Sequence, residues 1–235
     1  MSVRAREPTI ARMVDLVVSQ LTKHYPTPAE PLVVLDGIDL QLTRGESLAV
    51  LGPSGCGKST LLSILGTLDE PTAGSVTLGG DDPFTLDEAA LARFRAERIG
   101  FVFQEHYLLP QCTVLENTLV PLLSDGKATA DDTAKATELL NRVGLGERLT
   151  HRPAQLSGGE RQRAAIARSL IRDPLLLLAD EPTGALDGRN AEGIADLLLE
   201  LQSDRNAMLI AVTHSTNFAN RMGRQARLVD GRFEE

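Results

Sequence analysis

The chain has 235 residues, with 24 lysines and arginines against 32 aspartates and glutamates, which gives a net charge of −8. At roughly 100–200 residues per domain this is one large domain or two small ones, long enough to bury a core without staples. The acidic balance, aromatics at only 3% and the absence of tryptophan argue against a general nucleic-acid binder, which needs basic patches and stacking rings.

Hydrophobic residues at 42% and charged residues at 24% are ordinary globular usage and argue against wholesale disorder. Two cysteines, Cys56 and Cys112, make neither a zinc pattern nor a disulfide scaffold, so reduced thiols in the cytoplasm are expected. Apolar runs such as Leu175 to Ala179 are far below the roughly 20 residues that span a bilayer. Glu7, Pro8 and Asp15 interrupt the segment around Arg4, Arg6 and Arg12, which breaks a signal-peptide core. The expectation is a chain that neither spans a membrane nor leaves the cell unaided, and that works at a membrane only by binding something already there.

Residues 1–13 read as a loose polar segment and 14–235 as one domain. Val14–Leu21 reads as a strand, His24–Pro31 as a Pro-rich turn, Leu32–Leu42 as a second strand and Ser47–Leu51 as a buried strand. A helix runs from Lys58 to about Leu65, and Gly74–Leu78 is another strand. Thr85 to Glu88, Thr113 to Glu116 and Thr129 to Asp132 have capping-box spacing and open helices. Ile99–Phe103 is a short strand ending at Gln104. A helix follows Ser157, a strand covers Leu175–Ala179, a helix Arg189–Leu201, and strands Leu209–Thr213 and Ala226–Val229. This alternation is the pattern of a parallel sheet covered on both faces, an α/β fold.

Gly52-Pro53-Ser54-Gly55-Cys56-Gly57-Lys58-Ser59 fits G-x-x-x-x-G-K-[ST] between a buried strand and a helix. Glycines let successive backbone N–H groups turn inward, and the helix N-terminus adds positive potential, so a polyphosphate is held there. Lys58 would reach the β- and γ-phosphates and Ser59 would coordinate Mg²⁺. Asp180 closes a buried strand, at the sheet edge where open α/β folds bind ligands. It would hold the metal, and Glu181 could polarise a water for attack on the γ-phosphate. His214 and Gln104 share that address at the ends of their own strands, against the plainer reading of polar strand termini.

Ser157 and Glu160 form a further capping box, and Gly158 and Gly159 leave that helix N-terminus bare enough for phosphate to approach. Two phosphate sites so far apart in one sequence make sense if they face each other in different copies. Arg161, Arg163, Arg168 and Arg172 are expected to form a solvated face with local ion pairs.

With these motifs in this order, the sequence resembles the ATP-binding cassette ATPases from about Leu16 to Arg232. The resemblance implies a P-loop fold with a mostly parallel core sheet, helices on both faces, an N-terminal antiparallel β subdomain and a helical subdomain over about 105–172. It also implies roles. Tyr25 would stack on adenine, Gly52 to Thr60 would be the Walker A loop, Gln104 the Q-loop glutamine and Leu156 to Glu160 the signature motif. Leu175 to Asp180 would be Walker B, Glu181 the catalytic carboxylate, Ala185-Leu186-Asp187 the D-loop and His214 the switch histidine. Two departures stand out: Glu160 where glutamine is commonest, and a Pro-rich segment after Tyr25. ATP and Mg²⁺ are the implied cofactors. The implied partner is a second copy packed head to tail, so that Ser157, Gly158, Gly159, Glu160 and Asp187 reach the other copy's ATP.

Phe101-Val102-Phe103-Gln104, Leu108-Leu109-Pro110, Glu116-Asn117 with Pro121, and Asp180-Glu181-Pro182-Thr183-Gly184 are similar to one bacterial branch, the lipoprotein-releasing, macrolide-export and cell-division ATPases. The compact length and the Leu108–Leu123 stretch look most like the ATP-binding subunits of lipoprotein-releasing systems. That resemblance implies a peripheral subunit on the cytoplasmic face of the inner membrane, docked on separate transmembrane permeases. The docking surface is expected near Gln104–Asn117, because that segment joins a γ-phosphate sensor to a capped helix; a core-packing helix with a polar start is the plainer alternative. A macrolide or peptide exporter, or a regulator of a cell-division or cell-wall machine, is the alternative within the branch. A soluble clamp for DNA repair or translation needs a coiled-coil insertion or two cassettes, and neither the Lys58–Ser157 interval nor the length has room for one.

Overall fold

The computed structural model describes residues 14–28, 30–184, 186 and 188–234. The expected loose segment 1–13 lies outside them. Strand β1 (Leu16–Tyr25) pairs antiparallel with β2 (Leu32–Leu42) and with β4 (Ala73–Leu78), giving a three-stranded sheet in the order β2-β1-β4. The first strand runs four residues further than the hydrophobic pattern suggests. Lys23, His24 and Tyr25 continue the pairing to β2, with Tyr25 opposite Leu32, and Pro26 then ends it.

The second sheet contains β3 (Ser47–Leu51), β5 (Ile99–Val102), β6 (Leu176–Asp180), β7 (Met208–Val212), β8 (Arg224–Val229) and β9 (Arg232–Glu234), in the order β5-β6-β7-β3-β8-β9. All neighbours are parallel except β8 and β9. The last strand was not anticipated, although Asp230-Gly231, both with positive φ, is the dipeptide that two-residue hairpins favour.

Period-two alternation divides the core between the two faces of this sheet. Leu48, Val50, Leu176, Leu178, Ile210 and Val212 join a cluster with the antiparallel sheet and α1 (Lys58–Leu65). Ala49, Leu177, Ala179, Leu209 and Ala211 join the opposite cluster, with Val114 of α3 (Val114–Leu119), Leu139 and Leu140 of α4 (Ala130–Arg142), Ala164 and Ala167 of α5 (Gly158–Leu170) and Leu198 of α6 (Gly188–Asp204). Ala49, Ala211 and Ala179 stand side by side across three strands. Both faces are covered, one by helices and the other by a helix and a second sheet.

Two local expectations are corrected. The helix α2 (Glu88–Arg98) is capped by Asp87, whose side chain accepts from Ala90 N–H, while Thr85 ends a 3-10 turn capped by Asp82. Asp competes well for an N-cap, and here it sits one turn residue closer to the helix. The capping boxes at Thr113, Thr129 and Ser157 all form. Three members of the arginine series serve the backbone rather than only a solvated face. Arg161 donates to Leu156 O, Arg168 to the carbonyls of His106 and Tyr107, and Arg172 to Pro121 O. Among the described residues no helix is long and apolar enough to cross a membrane.

Helix α5 lies close on β5 because Gly100 has no side chain: a Cβ there would come within 2.3 Å of Ser169 O and 2.8 Å of a Leu177 methyl. Gly100→Ala is expected to cost about 1–3 kcal/mol through overpacking. A urea titration checks this: the midpoint should fall with the slope unchanged.

Candidate active site

Parallel pairing puts the carboxyl ends of β5, β6, β7 and β3 on one edge of the sheet. Ligands bind at that edge in open α/β sheets. Here it opens into a cleft of about 390 Å³ lined by Ser54, Gly55, Gly57, Lys58, Ser59 and Thr60 after β3, by Gln104, Asp180, Glu181 and His214, and by Val34 of β2. Gly52 and Pro53 line an adjoining hollow with His214, and Cys56 is buried.

The loop after β3 depends on Gly57. Its φ of 104° is a left-handed value that side chains disfavour, and a Cβ would lie 2.7 Å from Val34 O. It delivers the chain to α1 with no side chain capping the first turn, so the N–H groups there are free to meet an anion. Lys58 is 8% exposed and donates to Gly52 O and Pro53 O, each at 2.8 Å. The ammonium folds the loop around itself.

Asp180 and Glu181 lie beyond it. The Asp180 carboxyl is pushed above its ordinary value by burial first and by the neighbouring Glu181 charge second, with Lys58 opposing both. Glu181 has φ 43°, a strained value for a non-glycine residue. Its Oε2 accepts from the Thr213 hydroxyl and from His214 N–H, both at 3.2 Å. Its Oε1 is buried without a hydrogen bond among the described residues, 3.5 Å from His214 Nε2. Thr213 was not singled out from the sequence, where nothing marks it. It is fully buried, and its oxygen accepts from Ser215 N–H at 3.0 Å, so the hydroxyl proton is directed at Glu181.

Tyr25 and Ser157–Glu160 do not line this cleft. Ala185 and Asp187 lie outside the described residues. At the start of α5, Ser157 Oγ accepts from Glu160 N–H at 3.2 Å, and Glu160 accepts from Ser157 N–H at 2.8 Å and from Arg148 Nε at 3.2 Å. The Ser157 backbone, the Ser157 hydroxyl and then Arg148 hold the Glu160 carboxyl down at about 2. Gly158 and Gly159 have room for a Cβ within this chain, the nearest atoms being 3.5 Å away.

The segment after Gln104 was expected to be a surface, and the structure adds how it is held. His106 and Tyr107 both have positive φ, and Arg168 fixes their carbonyls at 2.5 Å each. Asn117, fully buried, accepts from Leu109 N–H and donates to the carbonyls of Leu109, Cys112 and Thr113. Beside this segment runs an apolar groove of about 440 Å³ whose lining includes Phe101, Phe103, Tyr107, Leu68 and Pro121.

A family model described as ABC transporter matches residues 35–184. The chain belongs to the ABC transporter family of ATPases. Among relatives, this ABC ATPase is 56% identical over 216 residues to the lipoprotein-releasing system ATP-binding protein LolD 1 of Rhodopirellula baltica, covering 92% of this chain and 94% of that one. It is 54% identical over 217 residues to the LolD protein of Geobacter metallireducens, covering 92% and 96%. Among solved structures it is similar to the ATP-binding cassette MJ0796 in a dimeric post-hydrolysis state bound to ADP and Pi. That match has a TM-score of 0.85 at 38% identity and covers 94% of this chain and 97% of the other.

The depressed Glu160 carboxyl makes the fold's stability depend on pH in the acid range. Its folded pKa of about 2 lies below the ordinary 4.5, so its contribution is complete above the ordinary value and is lost as the pH falls toward 2. The urea midpoint of Glu160→Gln should therefore lie below that of the unaltered chain near neutral pH. The gap should narrow as pH drops from about 5 to about 2.5.

Proposed function

We propose that this ABC ATPase hydrolyses ATP as one half of a head-to-tail pair and drives a separate transmembrane permease on the cytoplasmic face of a bacterial inner membrane. The work done is lipoprotein release toward the outer membrane. The observation that carries the pairing is that one chain presents two helix N-termini suited to phosphate, at α1 and α5, and does not bring them into one cleft. The open Cβ positions at Gly158 and Gly159 support the same reading, since this chain itself does not demand glycine there. The nucleotide is then held by Gly52–Thr60 and Tyr25 of one copy and by Ser157, Gly158, Gly159 and Glu160 of the other. Asp187 is assigned to that second face. Kinship with the LolD proteins and with dimeric MJ0796 supports the cargo and the pair.

The donors at the cleft fit Mg²⁺. The Ser59 hydroxyl, the Asp180 carboxylate and the Gln104 amide oxygen are hard oxygen ligands. Among the described residues no group of three His, Cys, Asp or Glu forms a closed cage, which suits an ion that keeps waters and binds substrate phosphates. When bound, it neutralises charge developing on the γ-phosphate. Lys58 exchanges its loop carbonyls for phosphate oxygens. Glu181, fixed by Thr213 and His214 N–H, takes a proton from the attacking water through its unpartnered oxygen. His214, with a side chain 60% exposed, is free to turn toward the γ-phosphate.

Glu181→Gln should lower turnover by about a hundredfold or more while ATP-bound pairs accumulate on size exclusion; normal turnover would remove Glu181 from this role. Lys58→Ala should lose ATP affinity in an equilibrium titration, and unchanged affinity would overturn the phosphate-loop assignment.

The permease is proposed to sit in the apolar groove beside Gln104, where Tyr107 is 59% exposed. Phe103 stacks on Phe101 and meets the Tyr107 ring edge-on at 5.1 Å, so pressure on the groove reaches the residue before Gln104. In membranes holding the permease, Tyr107→Ala should abolish stimulation of ATPase by the partner and leave the basal rate intact. Stimulation that persists would move the docking surface elsewhere.

A further inference from the structure

The Tyr25 ring sits at the end of β1, 38% exposed, yet it is held at two points. Its hydroxyl donates to Asp69 Oδ2 at 2.7 Å. The other Asp69 oxygen accepts from Lys23 Nζ at 2.6 Å, and Lys23 also donates to Glu70 O at 2.7 Å. Lys23 and Tyr25 are two residues apart on one strand and so share a face. That spacing lays the ammonium over one side of the ring, 4.9 Å from its centre, a favourable cation–π contact. Asp69 thus fixes the ring's edge directly and its covered face through Lys23.

Asp69 also belongs to the phosphate-loop side of the molecule. It follows α1, and its N–H bonds back to Ser63 O within that helix. The Thr60 hydroxyl, in the first turn of α1, lies beside the same phenol. The hydrogen bond to Asp69 is the largest cause pushing the Tyr25 phenol above its ordinary pKa, so the hydroxyl stays a donor. A free tyrosine at a hairpin end loses rotamer entropy when a base stacks on it, and a ring fixed beforehand does not.

We propose that Asp69 is a positioning residue for the nucleotide base: it holds Tyr25 by its hydroxyl and Lys23 against one ring face, leaving the other face set for stacking at a fixed distance from the phosphate loop. The proposal rests on Tyr25 as the base-stacking residue. It makes Asp69 act on the base and not on the phosphates, and that separates it from a residue that merely stabilises the loop.

The test is steady-state ATPase kinetics on the full chain, with inorganic tripolyphosphate as a baseless competitor. Asp69→Ala should raise the KM for ATP about threefold to tenfold, the span one hydrogen bond of ordinary net strength produces. The kcat should stay within about twofold and the inhibition constant of tripolyphosphate should not move. Tyr25→Phe, which keeps the ring but loses the hydroxyl, should raise KM similarly. In a Tyr25→Ala background, with no ring to position, Asp69→Ala should add nothing. An equal loss of tripolyphosphate binding, or a full Asp69→Ala effect without the ring, overturns the positioning role. So does a raised KM in Tyr25→Ala beside an unchanged one in Asp69→Ala. If Tyr25→Ala itself leaves KM unchanged, the stacking assignment falls and the proposal with it.

Discussion

The site depends on the register of four parallel strands. Ala49 stands beside Ala211 and Ala211 beside Ala179, while Val102 pairs with Ala179. That alignment fixes where each strand stops, so the loop after Leu51, Gln104, Asp180-Glu181 and Thr213-His214 emerge along one edge. A one-residue slip of a strand buried on both faces would exchange its two sets of apolar side chains between clusters of different shape. The register is therefore specified by packing, and the positions of the polar residues follow from it.

Electrostatics at that edge is arranged around a single buried cation. Lys58 lies among backbone carbonyls and lowers the cost of the Asp180 charge, which burial and Glu181 both oppose. Two adjacent carboxylates beside one ammonium leave an excess of negative potential at the mouth of a phosphate-binding loop. The proposed metal and polyphosphate suit that balance: a divalent cation would relieve the carboxylates and the loop N–H groups would take the phosphate.

The stretch from Gln104 to Thr113 is irregular and leads into α3 and a following 3-10 turn, and it is tied to the fold at several points. Arg168 and Arg172 reach from α5 and its C-terminal end to its carbonyls, and Asn117 gathers the turn from Leu109 to Thr113. A segment held by long side chains from one helix can shift with that helix. The same helix is capped by Ser157, so the segment after Gln104 and the capped end of α5 are attached to one rigid element. The proposed link between the groove and the nucleotide would run through that shared helix.

The sequence by itself determined the local devices. Gly52 to Ser59 can make only a tight Gly-rich turn into a helix, Ser157 and Glu160 cap a helix reciprocally, and the runs ending at Asp180 and Val212 are too apolar to be anything but buried strands. These are short-range effects, set by backbone sterics, capping and periodicity. Strand ends were less legible: β1 continues to Tyr25 because β2 supplies a partner, and α2 starts at Glu88, capped by Asp87, because two capping residues compete for one turn. What only the tertiary structure decided were contacts between residues distant in the chain. Thr213 holds Glu181, Asp69 holds Tyr25 and Lys23, and Arg168 and Arg172, which looked solvated, donate to backbone carbonyls of the segment after Gln104. Each is a hydrogen bond whose partner is chosen by how elements pack, and packing geometry leaves no periodic trace in a single sequence.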